Sequence, residues 1–235
     1  MTLNLWGYHD WDNRTDNLLF LIDKEAPDCI ALQEVLTNHA FSDYPSSDFI
    51  ADTCGYAYRA FAPTYPRSNS KDRAGNRNQR ASYGQAFLSK HPIVTVESYY
   101  LKLYPEHPEE NSVQLCKIAA AGRTIDIWNV HFANHNLYAG RHLQELMGLA
   151  EKRQIHPIVV GDFNIWAQDM PAYKQTALRG YTYSTDVASY ISLPADGNTL
   201  DYIVIPTSLY TMHSVHSPDT YVSDHRAVLA TIGER

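Results

Sequence analysis

A mixed α/β fold is what this sequence predicts, and three observations carry that expectation. Apolar runs of strand length alternate with stretches whose apolar residues recur at helical spacing. Several of those runs end on, or start just after, an Asp, Glu, Asn or His. The chain has 235 residues, 44% of them hydrophobic, enough to bury the core of one large domain or two small ones. We expect a single catalytic domain over residues 1–235, with no internal repeat, low-complexity tract or long linker to divide it.

The elements follow in order. Leu3-Asn4-Leu5-Trp6 reads as an opening strand. A helix is expected after Asp12, with Leu18, Leu19 and Ile22 on its apolar face and Pro27 marking its end. Asp28 to Glu34 is an apolar strand that finishes on a carboxylate. Residues 37–60, with Pro45, Gly55 and several serines, read as polar and irregular. Ala86–Ser89 and Ile93–Val96 are short strands around a turn at Lys90-His91-Pro92, and Ile125–His131 alternates like a half-buried strand. A helix runs from about Tyr138 to Arg153, with Leu143, Leu146, Leu149 and Ala150 on one side. Ile158–Asp162 is a buried strand ending in acid, and Pro171 sits well in the first turn of a short helix opened by Met170. Leu200–Ile205 and Ala227–Ile232 are the last strands.

Composition narrows the class. No stretch approaches the ~18 consecutive apolar residues that suggest a membrane-spanning helix. Met1 to Gly7 has no basic segment followed by an apolar run, so it does not read as a signal peptide, although a removed leader remains compatible with it. Cys29, Cys54 and Cys116 are widely spaced, form no metal-ligand pattern and no disulfide framework, and favour a reducing compartment such as the cytoplasm. Cys29, inside an apolar run, reads as a buried small hydrophobe. The net charge of -7 counts against high-affinity, non-specific nucleic-acid binding, but not against nuclease chemistry, since a bound metal supplies local positive charge. Nothing in the sequence selects an oligomeric state, and a monomer is the default.

The strand-end residues carry the chemistry. Asp162 and Asn164 in Gly161-Asp162-Phe163-Asn164 point to one face if strand geometry persists, where carboxylate and carboxamide can hold an attacking water. An Asx turn after a strand is the equal alternative. In Ser223-Asp224-His225, Asp224 can bind a metal and His225 a phosphate, or the three can be a capped loop with a solvent-facing histidine. His131 and Glu34 each have a bland reading, as a structural hydrogen-bonder and a solvated strand end. Asp201, opening an apolar strand, needs a partner because an unpaired buried carboxylate is costly, and a histidine is a natural one.

Taken in order, Asn4, Gln33-Glu34, Asn129-Val130-His131, Gly161-Asp162-Phe163-Asn164, Leu200-Asp201-Tyr202 and Ser223-Asp224-His225 resemble the endonuclease/exonuclease/phosphatase superfamily, as do Leu32–Val35 and Tyr83–Ser89. The resemblance spans Thr2 to Ile232. It implies a four-layer α-β-β-α sandwich of two packed mixed sheets, where the residue pattern alone supports mixed α/β content. It also implies Glu34 and Asp224 as metal ligands with Asn4 in or beside the ligand sphere, magnesium as the default ion and manganese as an alternative. Asp162 then aligns or deprotonates water, Asn164 positions it, His225 oriented by Asp201 contacts the scissile phosphate, and His131 is the second histidine at the transition state. Abasic-site members often carry an acid where this chain has Trp6 and a tyrosine where it has His131, so the deoxyribonuclease, sphingomyelinase or general phosphodiesterase branches are favoured.

Substrate is the least legible property. Arg67, Lys71, Arg73, Arg77 and Arg80 stand against Asp72 alone, flanked by Tyr65 and Tyr83. Arg80 and Tyr83 are therefore candidate substrate contacts on a nucleic-acid backbone, unless the segment is simply a solvated loop. Three functions compete: a nuclease, a hydrolase of small phosphoesters or phospholipid head groups, and a binding module that keeps the fold without turnover. The intact constellation argues against the third.

Overall fold

The computed structural model describes residues 1–37, 44–66 and 82–235. Its strands are β1 (Thr2–Asn4), β2 (Cys29–Thr37), β3 (Tyr58–Pro66), β4 (Ser82–Ser89), β5 (Ile93–Tyr100), β6 (Ser112–Ala120), β7 (Arg123–His131), β8 (Ile158–Asp162), β9 (Tyr181–Tyr183), β10 (Asp201–Pro206), β11 (Tyr210–His216) and β12 (Leu229–Glu234). Its helices are α1 (Trp11–Glu25), α2 (Ser46–Cys54), α3 (Asn136–Arg153) and α4 (Met170–Tyr173). One sheet has the order β1-β2-β4-β3 and the other β5-β6-β7-β8-β10-β9; each mixes parallel and antiparallel pairs. The β11-β12 hairpin extends the first sheet, because Thr2 exchanges backbone hydrogen bonds with Val228.

Strand periodicity makes this a four-layer sandwich. On one side of the first sheet, Leu3, Ile30, Leu32 and Leu88 meet Leu18, Leu21 and Ile22 of α1 and Ile50 of α2. On the outer side of the second, Leu115, Trp128, Val130, Val159 and Val204 meet Leu143, Leu146 and Met147 of α3 and Met170 of α4. Between the sheets, Ala31 and Phe87 face Ile118, Ile127, Ile158, Val160 and Ile203. No helix among the described residues is long and apolar enough to cross a membrane.

Residues 37–60 depart from expectation: they hold α2 and the start of β3. Ser46, Ser47, Asp48 and Asp52 disguise a helix whose Ile50 and Ala51 are buried and whose end is capped by Gly55 at φ 75°. The strands β6, β9 and β11 were also not anticipated. Cys29 is half-buried rather than buried, its thiol 3.5 Å from the Ser89 hydroxyl, while Cys116 is the cysteine sealed in the core; all three are free thiols.

Candidate active site

The inter-sheet face that is apolar at one end turns polar at the other without breaking the alternation. Along β7 the inward residues are Ile127, Asn129 and His131; along β8, Ile158, Val160 and Asp162; along β10, Asp201, Ile203 and Ile205. His131 pairs in register with Asp162, and Asp162 with Asp201. Three adjacent strands thus present His131, Asp162 and Asp201 at one level, all buried. From the facing sheet, the Asn4 amide donates to Asp162 Oδ2 at 3.1 Å and to Glu34 Oε1 at 3.2 Å.

Glu34 reaches this group through an irregularity. Register between β2 and β4 slips between Leu32 and Val35, so Gln33 and Glu34 together oppose Gln85. Glu34 takes the left-handed conformation, φ 55°. A bulge redirects a side chain that strict alternation would send to the other face. Asn4 sits next to a similar feature: Trp6, at φ 54°, donates its backbone N–H to Asn4 Oδ1 at 3.0 Å.

The segment after β8 resolves the earlier alternative in a combined form. The strand ends at Asp162, Phe163 packs on the outer face, and Asn164 is left-handed at φ 49°. The Asn164 N–H donates to Asp162 Oδ1 at 3.0 Å, an Asx-type turn, while its amide donates to the Phe132 carbonyl at 3.0 Å. The turn fixes the Asp162 carboxylate in the cleft.

Asp201 Oδ2 lies 2.7 Å from His225 Nδ1, and its other oxygen has no hydrogen-bond partner among the described residues. Burial disfavours a charged His225, but the charge and hydrogen bond of Asp201, with Asp162 and Asp224 adding, push its pKa up to about 10. The charged form of His225 is thereby favoured, and its Nε2 faces Asp162 Oδ2 at 3.9 Å. His131 Nε2 approaches the same oxygen at 3.7 Å from the other side. Burial and the Asp201 charge raise the Asp162 carboxyl, outweighing the two histidines and Asn4. Asp224, half-buried and bonded by the Ser223 hydroxyl at 2.9 Å, is raised by burial and by the nearby charge of Glu34.

Among the described residues, two sets at this cleft can hold a cation. Asp162, Asp201 and His225 offer ligand atoms within 4.8 Å of one another, all buried. Asp201 and His225 spend the facing atoms on each other, however, so this trio works as a hydrogen-bonded relay. Glu34 is a carboxylate close enough to Asp224 to disfavour the charge of Asp224, with the Asn4 amide beside Glu34. An all-oxygen, doubly negative set of this kind suits a hard divalent ion.

Tyr83 is placed against the site rather than out in solvent. It is 8% exposed, its hydroxyl is 3.4 Å from His131 Nδ1, and its ring packs with Tyr8, Leu36 and Tyr65. Arg80 and the other cations of 67–80 lie outside the described residues. Sequence reasoning missed Arg14 and Ser192. The fully buried Arg14 guanidinium donates to the carbonyls of His9, Val222, Leu5 and Gly7, tying the loop after Asn4 to the segment before Asp224. The Ser192 hydroxyl accepts the N–H groups of Leu200 and Asp201 and so holds the start of β10. An arginine on a helix and a serine in a loop carry no signal of such roles without coordinates.

Fold and site together define a class of α/β sandwich proteins whose polar strand ends converge in one cleft. The chain matches the endonuclease/exonuclease/phosphatase family over residues 1–225 and belongs to it. No curated protein matches the sequence. Among solved structures, an endonuclease/exonuclease/phosphatase from Beutenbergia cavernae is similar with a TM-score of 0.77 and 18% identity, over 92% of this chain and 65% of that one. This chain therefore spans just under two thirds of that protein. The human Nocturnin catalytic domain, solved with bound sulfate, gives 0.71 and 19% identity, over 96% and 87% of the two chains. The mannosyl-6-phosphatase of Bacteroides thetaiotaomicron gives 0.66 and 13%, over 99% and 98%. Identities this low establish the shared fold alone. Members of the family are generally phosphoester hydrolases that use a divalent metal.

Proposed function

We propose that this protein is a divalent-metal-dependent phosphodiester hydrolase with nucleic acid as its substrate class. The observation that carries the reading is the convergence of Asn4, Glu34, His131, Asp162, Asp201 and His225 from both sheets on one cleft. Glu34 and Asp224 hold the metal, with Asn4 beside it; magnesium is the default ion and manganese the alternative. When bound, the metal neutralises phosphate charge as a Lewis acid.

The chain's own groups supply the rest. Asp162, whose carboxyl is raised by burial and Asp201, accepts a proton from the attacking water as the water oxygen bonds to phosphorus. Asn164 holds the turn that aims Asp162. His225, kept charged by Asp201, directs its Nε2 proton at a non-bridging phosphate oxygen. His131, across the cleft, stabilises the charge that develops as the bond to the leaving oxygen breaks.

A second reading, hydrolysis of a small phosphoester or a phospholipid head group in the manner of a sphingomyelinase, is favoured by the net charge of -7 and by the likeness to a mannosyl-6-phosphatase. One experiment separates them: a panel of plasmid DNA, single-stranded DNA, RNA, sphingomyelin, a sugar phosphate and bis-p-nitrophenyl phosphate, each with magnesium, manganese and excess chelator. We expect metal-restored cleavage of a nucleic acid and no turnover in chelator. Full activity of protein shown metal-free by elemental analysis would refute the metal reading, and turnover confined to the small esters or the lipid would move the assignment to the second.

A further inference from the structure

We infer that Asn129 is a positioning residue that sets metal affinity by clamping the bulge on which Glu34 sits; this rests on the reading of Glu34 as a metal ligand. Asn129 lies on β7 of the second sheet, is fully buried, and is one inward step before His131. Its amide nitrogen donates to the carbonyls of Leu32 and Ala86 at 3.0 Å each, and lies 3.3 Å from Gln114 Oε1. Leu32 and Ala86 are the last regular pair before the β2–β4 register slips. Its amide oxygen accepts the Gln33 side chain at 2.7 Å, and Gln33 is the other residue of the bulge. One side chain from the opposite sheet therefore holds both the backbone that enters the bulge and the residue preceding Glu34.

The physical need is specific. A bulge disrupts local ladder pairing, and a left-handed, non-glycine residue is stable only where its surroundings over-determine it. Buried carbonyls beside such a defect also require donors. Asn129 meets both needs at once. Without it, the bulge can relax toward regular pairing, which rotates the Glu34 carboxylate away from Asn4 and the cleft. Groups that orient a metal ligand typically change affinity ~10–100-fold when removed.

Asn129→Ser and Asn129→Ala, each checked for folding by circular dichroism, are titrated with Mn2+ by calorimetry alongside wild type. The control is Ile118→Ala: Ile118 also lies between the sheets, buried at the apolar end and away from the bulge. We expect Mn2+ binding weakened by about tenfold or more in the Asn129 variants and unchanged in the control. The serine variant, which keeps a hydroxyl donor, provides the test should the alanine variant not fold. Unchanged Mn2+ affinity in a folded Asn129 variant overturns the inference and leaves the metal reading intact. Equal weakening in the Ile118 control also overturns it, because the effect would then be general loosening of the sheets. Wild type that binds no Mn2+ removes the metal reading and this inference with it.

Discussion

At one end of the space between the sheets, Phe87 and Ala31 pack on Ile118, Ile127, Ile158, Val160 and Ile203. At the other, one or two inward steps along the same strands, stand Gln33, Asn129, His131, Asp162 and Asp201, all buried. The backbone is the same and the chemistry is inverted. Each apolar residue at the first end contributes to stability on the order of 25 cal/mol per Å² removed from water. At the second end, every buried polar group costs free energy unless it is bonded, and the charge of Asp201 adds to the cost of a charged Asp162. The apolar end is not completely filled: it leaves a cavity of about 500 Å³ lined by Phe87, Ile125, Ile127, Ile158 and Ile203. Hydrogen bonds between the sheets gather at the polar end, where catalytic geometry needs support.

The sharpest way to break this contrast is Asp201→Asn. The asparagine oxygen can still accept from His225 Nδ1, and its amide replaces the carboxylate oxygen that has no partner among the described residues. Packing is preserved while the charge that sustains the imidazolium is removed. We expect turnover to fall on the order of 10²–10³-fold, with the urea midpoint nearly unchanged because the repulsion with Asp162 is relieved. A wild-type rate would make the pair structural and the division between the two ends incorrect.

The converse substitution is Ile203→Ala, two residues along the same strand and 2% exposed. It should cost about 2–5 kcal/mol in urea unfolding, the usual range for opening a core cavity, with metal-saturated turnover within about twofold of wild type. Because a cavity already lies beside it, the low end of that range is expected. A large loss of turnover in the folded variant would show that the apolar end also tunes the site.

The legible part of the molecule is the part governed by alternation. His131, Asp162 and Asp201 stand at strand ends, and a period of two places them inward with no knowledge of pairing. The same rule fails at Glu34, since its direction comes from a bulge that exists only once β2 lies against β4. It fails at Asn164 too, where the strand stops and the chain turns left-handed. Helix α2 was hidden because Ser46, Ser47, Asp48, Asp52 and Thr53 are of types that also make turns, and only tertiary burial of Ile50 and Ala51 decides for the helix. Arg14 was illegible for the opposite reason: a guanidinium buried against four carbonyls looks, in sequence, like any solvated helix residue.

The smallest expected effect sharpens the comparison from outside the inter-sheet space. His142, in α3 beneath the loop that leaves His131, has its tautomer set by its bonds: Nδ1 accepts the Ala133 N–H at 3.3 Å and Nε2–H donates to the Lys102 carbonyl at 3.0 Å. Burial lowers its pKa below the ordinary 6.5, more than the Lys102 carbonyl, Glu145 and Glu109 raise it, and His107 adds to the lowering. The folded state therefore binds fewer protons than the unfolded state between the lowered value and 6.5, so stability rises with pH there. Above about 6.5 both states are neutral and the contribution is flat. Below it, stability is progressively lost, by at most about 1.4 kcal/mol per pH unit for one group, and by less here because the ring retains some solvent screening. His142→Gln, which has no proton to gain, should show a shallower fall in urea midpoint from pH 6.5 to 5 than wild type and no difference in slope from pH 7 to 8. Parallel curves across the acid range would mean that the acid sensitivity of this protein belongs to the carboxylate end of the sheets and not to the outer helical layer.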